Sequence, residues 1–539
     1  MKAKKIIAAL LASVSAVSML AACSGGTGAN IDMDEIMSRE NVEDYVYPEQ
    51  VEIKIPVYDR GTPGQASVID NYWTKYVQSE FGDKHNIKVS YISIPRKEEI
   101  TKFNQLLAGK VENQPDIIFN YDYPSIVSFA DQGAFQELDL EMIKKYAPDY
   151  YEATKSADEY TLLDGTRYFL AGARPDMYQW VTLLRKDWLD KCGISAPTTS
   201  EEYLDMLKTF RDKKPGGEGT IPLTKNLVNA NYGNYPFREF PLPEEDNALY
   251  SDITVCSLTW EPTKKQLQYD NMLYNEGLIS PEWYLDKDGS KMKEQFISGK
   301  AGIFGTYLSK SDDVIGNLKK NDPSAEVMLL PAYQWIDENG NPYDAGSRQD
   351  NPFGMMSGIN VNCAHPEAVL MYFEWMQDNL FTMQNGIEGV TYTMDGEIPV
   401  PIDDYTGEER LNYSSNKDMW CIVIESKDMG DDELNMQVQA KMYAPECYEF
   451  LIEENYKNAK KYEHLRYHDF IFNKPIVSLT ESAESLLSKW QEIQVNLINC
   501  KPEEFDAKYE AACQEYLAAG YQEVLDEKKE VYEAMKAEK

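Results

Sequence analysis

Short apolar runs alternate with stretches of helical periodicity over the first third of the chain. Glu52 to Tyr58, EIKIPVY, alternates apolar and polar positions as a half-buried strand does, and ends at the polar turn Asp59-Arg60-Gly61. Val68 to Phe81 places Tyr72, Trp73, Tyr76 and Val77 on one side of a helix. Ile87 to Ile92 reads as a second strand and Glu98 to Leu107 as a second helix. Pro115 then introduces Ile117-Ile118-Phe119, an apolar run suited to a strand buried on both faces. From Ser125, the apolar residues Ile126, Val127, Phe129 and Ala130 recur at helical spacing, with Gly133 placed to end the helix. Strand and helix alternate three times, which predicts a parallel, doubly wound α/β lobe. Ligands bind beyond the carboxyl ends of strands in such sheets, so the turns at Tyr58-Asp59-Arg60 and at Asn120-Tyr121-Asp122-Tyr123 are candidate binding walls.

Later segments are less regular. Glu338-Asn339-Gly340-Asn341 is a hairpin-turn signal between aromatic flanks. Helical patterns dominate from Pro366 onward, and Glu503 to Lys539 is a charged amphipathic tail read as a solvated helix face. Trp73, Trp188 and Trp375 lie on apolar helix faces and are read as structural.

The N-terminus changes the picture from fold to address. Lys2, Lys4 and Lys5 precede the apolar run Ile6 to Leu20, and Leu20-Ala21-Ala22-Cys23 closes it with small residues before a cysteine. This is a secretory signal that resembles the lipobox of bacterial lipoproteins acylated on Cys23. No later stretch reaches the roughly 18 uninterrupted apolar residues of a membrane span. Gly25, Gly26, Thr27 and Gly28 predict a flexible tether, with the folded body beginning near Tyr47.

Composition narrows the function. The 539 residues allow about two to four domains. Lys and Arg total 53 against 90 Asp and Glu, a net charge of −37, which argues against nucleic acid as a partner. The 37 Tyr and 9 Trp exceed what cores usually need and suit sugar stacking or protein contacts. Cys192, Cys256, Cys363, Cys421, Cys447, Cys500 and Cys513 are scattered, odd in number and without a CxxC pair, so no disulfide framework is predicted.

Catalytic and metal signatures are weak. His464 and His468 have the i, i+4 spacing of a zinc helix, but Leu465 stands where that motif needs Glu. The chain has no GxSxG elbow, Walker loop or Rossmann fingerprint, and acidic residues are too abundant for any carboxylate pair to single out a glycosidase. No catalytic residue, metal or cofactor is predicted.

The segment Tyr168 to Phe210 contains Arg185-Lys186-Asp187-Trp188-Leu189, Gly193-Ile194, Pro197, Thr199 and Glu201-Glu202, with Thr199 or Ser200 placed to cap a helix. It is followed by Gly277-Leu278-Ile279-Ser280-Pro281-Glu282, by Phe296-Ile297-Ser298-Gly299-Lys300-Ala301-Gly302, by Leu329-Leu330-Pro331, by Ser357-Gly358-Ile359-Asn360-Val361 and by His365-Pro366-Glu367-Ala368. This ordered set resembles the family 1 extracellular solute-binding proteins, the maltose-binding-like components of ABC importers. Within them it is most similar to the large Gram-positive lipoproteins of the LipO and YtcQ type. Many of those carry a calcium-loop-like insertion where this chain has Asp212-Lys213-Lys214-Pro215-Gly216-Gly217-Glu218-Gly219. Two carboxylates among lysines do not supply calcium's six to eight oxygens, so no metal is predicted there.

The resemblance implies a two-lobed, type II periplasmic-binding-protein α/β fold with a helical C-terminal portion. Its implied organisation is a signal peptide at 1–22 and a lipid-anchored flexible linker at 23–46. Lobe 1 takes 47–175 plus about 332–390, and lobe 2 with the helical C-terminal region takes about 181–327 plus about 400–539. Hinge crossings are implied near Ala173 to Leu183 and Glu326 to Ala332, with closure around ligand in an inter-lobe cleft. Carried over, the ligand-binding candidates are Tyr58, Asp59, Arg60, Asn120, Tyr121, Asp122, Tyr123, Tyr178, Gln179, Trp180, Thr224, Asn226, Thr306 and Tyr307. The implied activity is binding without turnover: a lipid-anchored monomer at the outer face of the cell membrane delivers an oligosaccharide to the transmembrane subunits of an ABC permease. An exported glycan-degrading enzyme and a binding protein for a non-sugar solute such as a peptide are the alternatives.

Overall fold

The computed structural model describes Ala29 and residues 31–61, 64–175, 180–227, 237, 240–251, 255–402, 405–411, 417–442 and 445–538. The chain forms an α/β fold of two compact units. Unit 1 takes the described residues up to 175 together with 351–431 and 473–475; unit 2 takes 180–350, 432–472 and 476–538. The strands that matter below are, in chain order, β1 (Val51–Asp59), β2 (Ile87–Pro95), β3 (Ile117–Asn120), β4 (Leu170–Ala173), β5 (Trp180–Arg185), β6 (Ile221–Leu223), β7 (Ala301–Tyr307), β8 (Val327–Leu329) and β9 (Phe353–Ile359).

In unit 1, β1 and β2 pair in parallel from Val51 opposite Ile87 to Asp59 opposite Pro95. The helices on either side of β2 form near the positions their periodicity predicts. Asn71 caps the first through a capping box with Thr74, and the second runs Glu99–Leu107. The expected all-parallel lobe is not what forms next, because β9 returns from far along the chain and pairs antiparallel with both β3 and β4. Its sequence, FGMMSGI, is buried at every position. A central strand covered on both faces carries no alternation, and its pairing partner is invisible to local pattern. The helix after β3 runs Tyr123–Asp131, capped by the Asp122 carboxylate on Ser125 N at 3.0 Å, and Gly133 follows in the left-handed region at φ 72°.

The chain is folded well before Tyr47, where a flexible tether was expected. Helix Met33–Ser38, capped by Asp32, buries Ile36. The Tyr146 hydroxyl donates to the Ile36 carbonyl and the Lys145 ammonium to that of Met37, each at 2.7 Å. Glu367, 1% exposed, accepts from the Tyr47 hydroxyl at 2.7 Å and from Arg39 at 3.1 Å. One buried isoleucine is too little to register as a hydrophobic period, so the segment reads as linker although hydrogen bonds hold it down.

Unit 2 is built on a four-stranded sheet in the order β8-β5-β7-β6. β5 runs antiparallel to β7 and β8, and β6 runs parallel to β7. Helix Lys186–Cys192 follows β5 and helix Ser200–Lys213 is capped by Thr199. Trp188, Leu207 and Phe210 from these helices join Leu486, Trp490, Leu497, Tyr516 and Tyr521 in one core, so the C-terminal helices are structural parts of this unit. Trp335–Ile336 and Pro342–Tyr343 form the hairpin that the Asn-Gly turn predicts.

The two segments considered for metal are occupied by protein groups. Around 212–219, Arg211 pairs with Asp212 and Lys214 with Glu218, while the Lys300 ammonium donates to the carbonyls of Gly216 and Glu218 at 3.0 and 3.1 Å. His464 and His468 do not share a helix face. Residues 463–465 form a 3-10 turn and 466–468 a strand, and His468 Nδ1 contacts the Asp350 carbonyl at 2.8 Å. Cys192, Cys256, Cys363, Cys421 and Cys500 are free and buried, and Cys513 is free and half-buried. Among the described residues no helix is long and apolar enough to cross a membrane.

The Glu367 clamp yields a pH-dependent prediction. Burial alone raises this carboxyl, but hydrogen bonds from His365 and Tyr47 outweigh it and hold it below its ordinary range. A depressed carboxyl stabilises the fold above its unfolded pKa, and that contribution fades as pH falls through the lower folded value. Glu367→Gln is expected to cost about 2 kcal/mol at pH 7, to expose residues 29–47 to proteolysis, and to flatten the loss of thermal stability between neutral and acid pH. Equal proteolysis rates for variant and parent would show that the clamp does not hold the segment.

Candidate functional site

The carboxyl ends of β1 and β3 meet on unit 1. The Tyr58 ring stands edge-on to Phe119 at 4.7 Å and is stacked over Tyr121 at 6.3 Å with an interplanar angle of 21°. Tyr58 is fully buried and Tyr121 half-buried, so Tyr121 is the outer ring and Tyr58 its support. Tyr123, also half-buried, packs against Phe169 and Phe353 at 6.0 and 5.6 Å. Burial raises the Tyr58 and Tyr121 phenols, with Glu99 adding to the first and Cys421, Glu425 and Asp418 to the second. Both therefore stay neutral at physiological pH.

The polar candidates on this face shape it from within. Asp59 accepts from Gly61 N at 2.9 Å and from the Gln65 amide at 2.8 Å, closing the turn after β1. Arg60 makes a two-pronged bond to Asp418, with Nε at 2.9 Å and a terminal nitrogen at 2.8 Å. Asn120, 1% exposed, accepts from Asp122 N at 2.7 Å, and Asp122 spends its carboxylate on the helix cap. Tyr121 and Tyr123 remain as the partly exposed aromatic groups.

Residues outside the predicted set complete the face. The Arg96 guanidinium lies 4.7 Å from the centre of the Tyr58 ring and 5.7 Å from that of Tyr121, and bonds Glu99 at 2.5 Å. Arg174 bonds Glu425 through Nε at 2.7 Å and a second nitrogen at 2.6 Å. Arg96 was findable: it follows β2 as Arg60 follows β1, and the rule that selected the other turns applies to it equally. Asp418 lies in the short helix Lys417–Trp420 and Glu425 in the turn region after it, with no periodic or motif signal in the sequence.

Unit 2 carries a second face at the open end of its sheet. Trp180 begins β5, Tyr307 ends β7, and the two residues are direct cross-strand partners. Their ring centroids are 3.9 Å apart at 32°, with Trp180 53% and Tyr307 41% exposed. Thr306, opposite Val181, lies on the buried alternate rung. The Thr224 hydroxyl donates to the Ile303 carbonyl at 2.8 Å and fastens the end of β6 to β7. Asn226 is half-buried, with its amide 3.8 Å from the Met292 sulfur. Tyr178, Gln179 and Cys23 lie outside the described residues.

Chemically, these faces offer apolar ring surface and neutral hydroxyls. The three arginines of the unit 1 face are each bonded to a carboxylate of the same unit. Among the described residues, the carboxylates close enough together to suit a cation are Asp149, Glu374 and Asp378. Glu374 accepts from the backbone nitrogens of Asp149 and Tyr150, both at 3.0 Å, and so serves as a helix cap.

The chain also resembles known proteins. The chain is 23% identical to lipoprotein LipO of Bacillus subtilis over 455 residues, 81% of each chain. It is 24% identical over 320 residues to a B. subtilis protein named polygalacturonan/rhamnogalacturonan-binding protein YtcQ, covering 57% of this chain and 61% of that one. An extracellular solute-binding protein from Bifidobacterium longum subsp. infantis superposes with a TM-score of 0.61 at 18% identity, over 91% of this chain and 99% of the other. The family profile described as bacterial extracellular solute-binding protein matches residues 66–379, more than half of the chain. The chain therefore belongs to the bacterial extracellular solute-binding protein family.

Proposed function

We propose that this protein captures an extracellular oligosaccharide as a monomer and delivers it to the transmembrane subunits of an ABC importer. Lipid on Cys23 holds it at the outer face of the cell membrane. The observation that carries the reading is the exposed Trp180–Tyr307 pair, an aromatic surface fixed by strand pairing at a sheet end, where a sugar ring can lay its apolar face. Tyr121 and Tyr123 present a second aromatic surface on unit 1. The paired arginines leave hydroxyl recognition, rather than charge capture, as that face's means of selecting a ligand. The family, and the polysaccharide named for YtcQ, support the same class.

Calorimetric titration with glycan pools and with peptides tests the class directly. Trp180→Ala and Tyr307→Ala are each expected to weaken glycan binding about tenfold, or ~1.4 kcal/mol, without unfolding the protein. Binding to peptides with none to any glycan pool would sink the sugar assignment.

The arginine locks make a separate prediction. Asp418 is 3% exposed, and Arg60→Gln leaves its charge without its partner. A loss of about 2 kcal/mol in thermal unfolding is expected, larger than for Arg60→Gln combined with Asp418→Asn. If the double variant is as unstable as the sum of the singles, the pair is not coupled.

Membrane attachment is tested by Cys23→Ser. The variant is expected in the culture medium and the parent in the membrane fraction; equal membrane retention would exclude the lipid anchor.

A further inference from the structure

β7 contains two glycines whose surroundings differ completely. At Gly302 a Cβ would stand 2.9 Å from the Phe210 ring, the Pro222 carbonyl and the Trp188 ring, so close packing forbids any side chain there. Gly305 is exposed, its φ lies outside the left-handed region, and a Cβ on it would meet no described atom within 4 Å. Among the described residues, neither backbone geometry nor packing asks for glycine at 305. Glycine inside a strand nonetheless costs roughly 0.5–1 kcal/mol relative to alanine, and it often marks a bulge, a bend or the close approach of a ligand or another backbone. Gly305 is paired in register without a bulge.

The register says what lies beside it. Gly305 faces Thr182, one exposed rung along from Trp180 and Tyr307, and the buried rung Val181–Thr306 separates the two. Exposed rungs on one face repeat about every 6.8 Å along a strand. The result is a step down from two large rings to a floor of backbone and one half-buried threonine. A sugar ring lodged against the aromatic pair overhangs this floor, and a side chain at 305 would occupy its volume.

We infer that Gly305 is a specificity-determining position, kept without a side chain so that a sugar ring can seat beside the Trp180–Tyr307 pair. The inference rests on the oligosaccharide reading but is separable from it. The test uses the full chain and a fixed panel of maltohexaose, cellohexaose, xylohexaose, nystose and trigalacturonate, titrated by calorimetry against the parent, Gly305→Ala, Gly305→Val and Trp180→Ala. Alanine and valine suit a strand at an unhindered position, so melting temperatures equal to or above the parent's are expected. For the panel members that the parent binds, affinity is expected to fall with side-chain size: a few-fold for Gly305→Ala and at least about tenfold for Gly305→Val. Parent-like affinity in Gly305→Val, with loss in Trp180→Ala, would overturn the role of Gly305 and leave the oligosaccharide reading standing. A parent that binds no panel member and no wider glycan pool would overturn both. Should Gly305→Val fail to fold, the Gly305→Ala result decides, parent-like affinity counting against the inference.

Discussion

The register of β5 against β7 is the constraint on which the unit 2 face depends. A slip of one residue would send Trp180 and Thr182 to the buried side and bring Val181 out. At the far end of β5, Arg185, 1% exposed, bonds Asp187 twice at 2.7 Å and Asp322 at 3.1 Å. Asp187 also accepts from Glu326 N at 3.3 Å, which draws the start of β8 into the same network. An ionic cluster centred on a buried guanidinium is costly to rearrange, so it fastens the end of β5 to the start of β8. β5 is thus anchored to β8 at one end, and its pairing with β7 sets Trp180 opposite Tyr307 at the other.

Unit 1 uses arginines differently. Arg60 and Arg174 reach from the segments after β1 and β4 to Asp418 and Glu425, far along the sequence, whereas Arg96 bonds Glu99 three residues on. The locks tie the irregular 417–425 segment to the strand ends. Their second effect is electrostatic. In a chain with a net charge of −37, cations committed to internal carboxylates do not draw a polyanion to the face they line.

Much of the fold was legible because its local signals agree with one another. Thr199, Glu202 and the apolar positions Leu207 and Phe210 together specify one helix, and that helix forms. The turns after β1 and β3 were legible by the strand-end rule, and their residues do meet, as the Tyr58–Tyr121 stack records. What was not legible depends on partners distant in sequence. β9 lacks alternation because it is covered on both faces, and the passage between units at 350–351 carries no periodic mark. The folded segment before Tyr47 depends on Glu367, more than three hundred positions away, and no local reading could supply that contact. Gly305 was invisible for a different cause: within the Phe296 to Gly302 motif and its sequel, a glycine reads the same whether it is crowded or open.

Aromatic content is the clearest case of composition pointing the right way for an incomplete reason. An excess of tyrosine was taken as surplus to the core, yet much of it is core. Tyr146 and Tyr150 donate to the carbonyls of Ile36 and Ala171, and Tyr509 to that of Leu258, each bond being 2.6 to 2.7 Å long. These phenols fill volume while each donating a hydrogen bond to a backbone carbonyl, a task phenylalanine cannot perform. Count therefore says little about which rings meet a ligand; exposure and rigidity do. Trp180 and Tyr307 combine both, since half of their surface is open and their backbones are fixed in a paired sheet. A ring already immobilised loses little entropy when a sugar stacks on it, so its contact area is converted into affinity more fully than that of a ring on a mobile loop.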